Sequence, residues 1–121
     1  MTAAILAFTR RGATLGRVLA EAMDASLHVP ARFADEVGAE AYDSLEDWTA
    51  RMWGEKDALI FVGACGIAVR AIAPHVKDKF TDPAVVSVDE AGKFVVPLLS
   101  GHVGGANELA IRVAALTEGQ A

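Results

Sequence analysis

Two short apolar segments, each running into a glycine-containing turn, constrain the fold of this chain most strongly. The first segment is residues 58–62, which continues into GACGIAVR at residues 63–70. The second is residues 94–99, which continues into SGHVGGANELA at residues 100–110. Each apolar segment is typical of a buried strand, and each turn is typical of the entry to a helix. The sequence therefore predicts two strand–turn–helix units.

Both turns have features of a ligand-binding site. Glycine lets the backbone approach a ligand closely because it has no Cβ, and the start of a helix offers unpaired N–H groups to an anion. We therefore expect the two turns to meet in a single polar site above a sheet. The candidate binding residues in and beside the turns are Gly63, Gly66, Ser100, Gly101, Gly104, Gly105, Asn107 and Glu108.

The other segments predict an alternation of strands and helices. We expect strands at residues 3–8, 26–29, 58–62, 84–88 and 94–99, and helices at residues 13–23, after Ser44, between Gly66 and Pro74, and at about 104–117. Loops are predicted at residues 32–43 and 77–83. This alternation predicts an α/β fold: one three-layer α/β/α domain over residues 1–121, with a mainly parallel sheet and an antiparallel hairpin near the C-terminus.

Single residues indicate where several of these elements begin and end. Ser44 is a predicted N-cap, and Pro74 should end its helix because it lacks an N–H. Gly92 is expected at the positive-φ position of the hairpin loop, and Pro97 indicates an edge strand. Gly119 is the expected C-cap of the last helix.

Helical spacing identifies the side chains that we expect to be buried. They are Leu15, Val18, Leu19 and Ala22 in the first helix, Trp48 and Met52 in the next, and Leu109, Val113 and Leu116 in the last. Aromatic residues at this spacing are more often core than a stacking surface for a flat ligand, so we predict that the tryptophans pack in the core.

Charge and composition argue against several classes of function. The net charge is −5 without a basic cluster, which argues against nucleic acid as a partner. No apolar run approaches the roughly 20 residues of a membrane helix, and the first residues lack the basic region of a signal peptide. The single cysteine excludes an internal disulfide and a multi-cysteine zinc site. We expect a cytoplasmic domain that binds neither nucleic acid nor membranes.

The histidines are the first candidates for catalysis. His102 lies just before a predicted helix, where its imidazole could act as a general base near neutral pH, although a loop histidine hydrogen-bonded to backbone fits equally well. We predict that His28 is structural and that His75 lies at the surface. The three are too scattered for metal ligation, so no metal site is expected. Neither G-x-G-x-x-G nor G-x-x-x-x-G-K-[ST] is present, which leaves nucleotide binding without a motif.

Two side chains after the first turn could also carry chemistry. Cys65 lies near a helix start and could be a nucleophile, but no base accompanies it, so we favour a small, half-buried turn residue. Arg70 lies further along the same helix and could pair with a carboxylate in a bidentate manner.

Residues 60–110 combine three long motifs: GACGIAVR, KDKFTDPAVV at residues 77–86, and SGHVGGANELA. Together they resemble the N-terminal region of the CbiG family, the cobalt-precorrin 5A hydrolases of cobalamin biosynthesis. One position departs from that pattern, because Cys65 stands where a small residue such as Thr or Ala is expected.

The resemblance implies a role in anaerobic corrin-ring synthesis. Enzymes of this family hydrolyse the δ-lactone of cobalt-precorrin 5A, and acetaldehyde is then released. His102 is then the candidate base, and N–H groups near Gly66 and Gly104–Gly105 are candidate oxyanion donors. The candidate partners of the substrate's carboxylates are Arg70, Lys77 and Lys79. The substrate itself carries the cobalt, so no separate cofactor is expected.

The resemblance leaves two functions open. Full family members continue into a C-terminal domain, so we expect this chain to be a fragment or one part of a split protein, with that domain as its partner. The alternative to a hydrolase is a non-catalytic corrinoid-binding module whose chemistry belongs to the other domain.

Overall fold

A computed structural model of the chain describes residues 1–102 and 104–121. The strands are β1 (Ala3–Ala7), β2 (Ser26–Pro30), β3 (Glu40–Tyr42), β4 (Ala58–Val62), β5 (Ala84–Val88) and β6 (Val95–Leu99). The helices are α1 (Arg10–Met23), α2 (Ala31–Val37), α3 (Leu45–Glu55), α4 (Cys65–Ile72) and α5 (Ala106–Thr117), with a 3₁₀ turn at Ala73–His75.

The predicted three-layer α/β/α architecture is confirmed. The strands form one sheet in the order β3-β2-β1-β4-β5-β6, in which β6 alone runs antiparallel. Helices α1, α2 and α5 cover one face, and α3 and α4 cover the other. Every residue of β1, β4 and β5 is buried, because helices lie on both faces of these parallel strands.

The prediction of a loop at residues 32–43 is wrong, since this segment forms most of α2 and all of β3. Helix α2 spans seven residues and anchors through Phe33 and Ala34. Strand β3 spans three residues at the sheet edge and leaves Glu40 and Ala41 exposed. Elements this short, with so few buried side chains, produce no hydrophobic period that a sequence pattern can detect.

The predicted buried face of α1 is wrong in part, because Val18 is 51% exposed and Ala22 is exposed as well. The helix instead packs through Gly12, Ala13, Gly16 and Leu19. A Cβ on Gly16 would lie 2.8 Å from Leu27 Cδ1, so small residues let α1 lie close to the sheet. The helix also begins at Arg10 rather than Ala13, because the Thr9 side chain caps it.

The last helix also differs in detail from its prediction. Leu109 and Val113 are buried as expected, but Leu116 is 37% exposed. The left-handed residue that ends α5 is Glu118 (φ +58°), not Gly119. Gly119 is required by packing instead, because a Cβ there would collide with the Gly92 carbonyl oxygen.

The other boundary predictions are confirmed. Ser44 accepts a hydrogen bond from the Asp47 N–H at 3.2 Å, and α4 ends at Ile72, shortly before Pro74. Gly92 has φ +72° in the hairpin loop, and Pro97 lies on the edge strand β6. Trp48 and Met52 are buried in the core as predicted. No helix among the described residues is long and apolar enough to cross a membrane.

His28 is a buried polar residue of β2 and is 4% exposed. Its ring packs edge-on against Trp48 at 5.5 Å, and Nε2 lies 3.0 Å from Ser26 Oγ. Burial disfavours the charged ring and lowers the pKa of His28 below its ordinary 6.5, although the nearby Glu40 carboxylate opposes this shift. The predicted structural role of His28 agrees with this position.

We expect the chain to lose stability in mild acid through His28. As pH falls below 6.5, the unfolded chain takes up a proton that the folded chain resists, so the free energy of unfolding should fall until the lowered pKa is reached. For one proton the slope is at most about 1.4 kcal/mol per pH unit. Urea unfolding of wild type and His28→Gln between about pH 7.5 and pH 5 measures it. Equal pH dependence in both proteins would contradict the attribution of this effect to His28. His75→Gln is the matched control and should keep the pH dependence of wild type.

Candidate functional site

The two glycine-containing turns lie at opposite edges of the sheet, so the expectation of a single polar site formed by both is wrong. The turn at residues 63–66 follows β4 at the edge where the parallel strands end, here called the carboxyl edge. Strand β6 runs the other way, with Val95 opposite Val88 and Leu99 opposite Val85. Residues 100–102, 104 and 105 therefore lie where the parallel strands begin, here called the amino edge.

The amino edge brings together two loops that are distant in sequence. Residues 76–83 precede β5, and residues 100–105 follow β6; we call them the amino-edge loop pair. The Ser100 Oγ donates a hydrogen bond to the Asp82 carbonyl oxygen at 3.2 Å and joins the two loops. The predicted site residues placed at this edge are Lys77, Lys79, Ser100, Gly101, His102, Gly104, Gly105, Asn107 and Glu108.

Asp82 organises the first loop, and sequence reasoning missed it. Its side chain is nearly buried, and Oδ2 accepts hydrogen bonds from the N–H groups of Lys77 at 2.8 Å and Asp78 at 3.0 Å. Asp78 Oδ1 in turn accepts from the Phe80 N–H at 2.9 Å. An aspartate that bonds backbone N–H groups a few residues away is a common loop former, and the two aspartates of KDKFTDP are the signal that could have revealed it.

The second loop is closed by contacts within itself. Ser100 has φ +60° and Gly105 has φ +85°. A Cβ on Gly104 would collide with the Ser100 side chain, and one on Gly101 would lie 2.9 Å from Asn107 Oδ1. Gly101 and Gly104 are therefore explained by local packing, and Gly105 by its positive φ. The loop leads into α5, where the Ala106 N–H bonds the Ser100 carbonyl oxygen at 3.0 Å.

The exposed groups at the amino edge include several cations and an imidazole. His102, Lys77 and Lys79 are all exposed to solvent. Arg70 is exposed in the last turn of α4, which runs back toward this edge from the end of β4. An imidazole and several cations can bind carboxylates and move a proton. Among the described residues, no group of three or more His, Cys, Asp or Glu side chains could hold a metal ion.

The carboxyl edge holds the other two glycines predicted to be in the site. Gly63 has φ +153°, and a Cβ there would lie 2.6 Å from the ring of Phe8, so this glycine is required by packing. A Cβ on Gly66 would meet nothing within 4 Å. Cys65 is exposed rather than half-buried as we expected. A cleft of about 360 Å³ opens here, lined by Arg11, Gly63, Ala64, Asp89, Glu90 and Ala91.

We expect substitutions of Gly66 and Gly63 to differ in their effect on stability. Gly66→Val should change the free energy of unfolding by less than about 1 kcal/mol, because the position is open and lies in the first turn of a helix. Gly63→Val should cost about 1–3 kcal/mol, because it combines an unfavourable φ with the contact to Phe8. Thermal melts of both variants measure the difference, and similar melts would contradict it. Gly105→Val is not a suitable alternative to Gly66→Val, because Gly105 has φ +85°, a backbone conformation in which valine is strained.

Residues 47–121 match the protein family described as Cobalamin synthesis G N-terminal. The chain is 45% identical over 88% of its length to cobalt-precorrin-5A hydrolase from Salmonella typhimurium, and 37% identical over 93% to the enzyme of that name from Priestia megaterium. A crystal structure of a cobalamin biosynthesis protein G homolog from Sulfolobus solfataricus superimposes on 98% of this chain with a TM-score of 0.75 and 24% identity, which supports the fold.

These similar proteins are longer than this chain. The aligned region covers 30% of the Salmonella typhimurium protein and 32% of the Priestia megaterium protein. It covers 35% of the chain in the Sulfolobus solfataricus structure. The chain therefore spans about a third of the length of each of these relatives.

Proposed function

Because the chain belongs to the Cobalamin synthesis G N-terminal family, we propose that it acts in cobalamin biosynthesis, in the hydrolytic opening of the δ-lactone of cobalt-precorrin 5A with release of acetaldehyde. The proposal rests on two relatives named cobalt-precorrin-5A hydrolase that align with most of this chain. The substrate would carry its own cobalt, and the chain would work in the cytoplasm with a C-terminal domain of the same protein or with a separate subunit.

One structural observation carries the proposal for this part of the protein: the amino-edge loop pair joins two of the three family-like motifs. The Ser100–Asp82 hydrogen bond holds the segment with His102 against the segment with Lys77 and Lys79. A substrate with many carboxylates needs cations around its rim, and lactone hydrolysis needs a base. Both kinds of group are exposed on this edge.

In the proposed reaction His102 takes the proton from a water molecule as its oxygen attacks the lactone carbonyl carbon. The ring C–O bond then breaks and leaves a carboxylate and a hydroxyl group. Removal of the hydroxyl proton lets the adjacent C–C bond break. The hydroxyl oxygen becomes the carbonyl oxygen of the departing acetaldehyde, and the electron pair of the broken bond stays on the macrocycle, whose conjugated system accepts it. N–H groups at Gly104–Gly105 are the candidate donors to the oxyanion. Gly66 cannot share this task, because α4 begins at the opposite edge of the sheet.

A second candidate function is a non-catalytic corrinoid-binding module. His102 is exposed, and none of the ion pairs among the described residues includes it. A catalytic base is usually oriented by a further group. This observation favours a division in which the loop pair binds the corrinoid and the rest of the protein supplies the orienting group or the base.

Incubation of the 121-residue chain with cobalt-precorrin 5A tests both candidates. Trapped acetaldehyde would support the hydrolase, and a spectral change of the corrinoid without acetaldehyde would support the binding module. Absence of both signals would overturn the proposal that this chain carries the substrate site. The control is the same chain with Lys77 and Lys79 both changed to Gln, which should bind the corrinoid more weakly.

A further inference from the structure

Phe80 is the most exposed aromatic residue among those described, with 65% of its surface accessible. It lies in the first loop of the amino-edge loop pair and belongs to neither helix nor strand. The loop nevertheless holds it in place, because Asp78 accepts a hydrogen bond from the Phe80 N–H and Asp82 accepts two more from the preceding backbone. The structure therefore presents an apolar ring to solvent on a backbone that is fixed by hydrogen bonds.

The acidic and basic side chains of this loop differ in what they contact. The two aspartates direct carboxylate oxygens to backbone N–H groups within the loop. Lys77 and Lys79 are exposed, and neither takes part in the ion pairs of residues 1–102 and 104–121. The Lys79 Nζ lies 5.3 Å from the centroid of the Phe80 ring, within cation–π range. The outward surface therefore combines one aromatic face and two ammonium groups with the exposed Asp78.

We propose that Phe80 stacks on the face of the corrinoid macrocycle while Lys77 and Lys79 bind carboxylates on its rim, which makes Phe80 a specificity-determining residue of the amino-edge site. This inference rests on the proposed function. A large conjugated ring offers an apolar face for stacking, and its acidic side chains project from the edge. Phe80 and His102 each lie two residues from the Ser100–Asp82 hydrogen bond, so one ligand on this edge can lie near both.

Phe94 provides a matched control on the same chain. It is 61% exposed and follows Lys93, so its exposure and its neighbour resemble those of Phe80. It lies at the start of β6 on the carboxyl edge, away from the loop pair. If the corrinoid bound non-specifically to exposed phenylalanines, both residues would contribute to binding. In the proposed site only Phe80 contributes.

The test is a binding titration of the 121-residue chain with cobyrinic acid, a cobalt corrin with free side-chain carboxylates, and with its heptamethyl ester. Phe80→Leu should weaken the binding of both probes about 10–100-fold, which is the usual value of one aromatic stacking contact. Phe80→Tyr should restore affinity, and Phe94→Leu should leave it unchanged. Lys77→Gln and Lys79→Gln should weaken the binding of the acid but not that of the ester.

Unchanged affinity in Phe80→Leu would overturn this inference alone. Failure of wild type to bind either probe would overturn the inference together with the proposed function. Equal losses in Phe80→Leu and Phe94→Leu would indicate non-specific adsorption and would also overturn it. Thermal melts should be unchanged in both variants, since both rings are exposed.

Discussion

Replacing His102 with alanine is expected to lower the rate of acetaldehyde formation by about 10²–10⁴-fold, the usual contribution of a general base. The ring is exposed on the amino-edge loop pair, so the variant should fold normally. Corrinoid affinity should change little, because Lys77 and Lys79 provide the charges that bind carboxylates. The measurement is single-turnover acetaldehyde formation, with the C-terminal remainder of a longer relative added if the chain alone is inactive.

Two variants provide the controls for this experiment. His75→Ala removes a histidine outside the loop pair, and Cys65→Ala removes the exposed thiol at the other edge of the sheet. Both should keep nearly full turnover. A His102→Ala protein with wild-type turnover would remove this residue from the mechanism and favour the binding-module function. A similar loss in Cys65→Ala would point to the carboxyl edge instead.

Changing Asp82 to alanine is expected to destabilise the chain by about 2–4 kcal/mol, because two partly buried N–H groups lose a charged acceptor. For a domain of this size that corresponds to a fall in Tm on the order of 10 °C. The loop that carries Lys77 and Lys79 should lose its conformation, so corrinoid affinity should fall at temperatures where the variant remains folded. Thermal melts and the cobyrinic acid titration measure the two effects.

The same loop offers a matched control for Asp82. Asp78→Ala removes a carboxylate of the same type that accepts one exposed hydrogen bond, so it should cost less than about 1.5 kcal/mol. Asp82→Asn keeps an oxygen acceptor and should recover part of the lost stability. If Asp82→Ala melted at the wild-type temperature, Asp82 could not be the organiser of this loop.

Much of the fold follows from local patterns in the sequence. The continuous apolar run at residues 58–62 predicts a strand buried on both faces, and β4 is such a strand. Gly92 and Pro97 behave as their backbone chemistry requires, one at a positive φ and the other on an edge strand. These predictions hold because each depends on a few neighbouring residues.

The buried face of α1 shows where local patterns fail. The apolar side chain of Val18 suggested burial, yet the helix turns Gly16 toward Leu27 and leaves Val18 exposed. Close packing of helix on sheet favours small residues at the contact. Which face meets the sheet is a property of both elements together, so the hydrophobic pattern of one cannot determine it.

The candidate site divides in the same way. The sequence by itself determined two glycine-containing turns, the loop over residues 77–83 and the hairpin over residues 89–93, because each is specified by adjacent residues. Only the tertiary structure decided which of them meet. The hairpin reverses β6 and carries Ser100 to the amino edge, away from Gly63 and next to Asp82. Strand order and direction are set by contacts between residues far apart in sequence. The local sequence of a turn therefore does not determine which other segments it contacts.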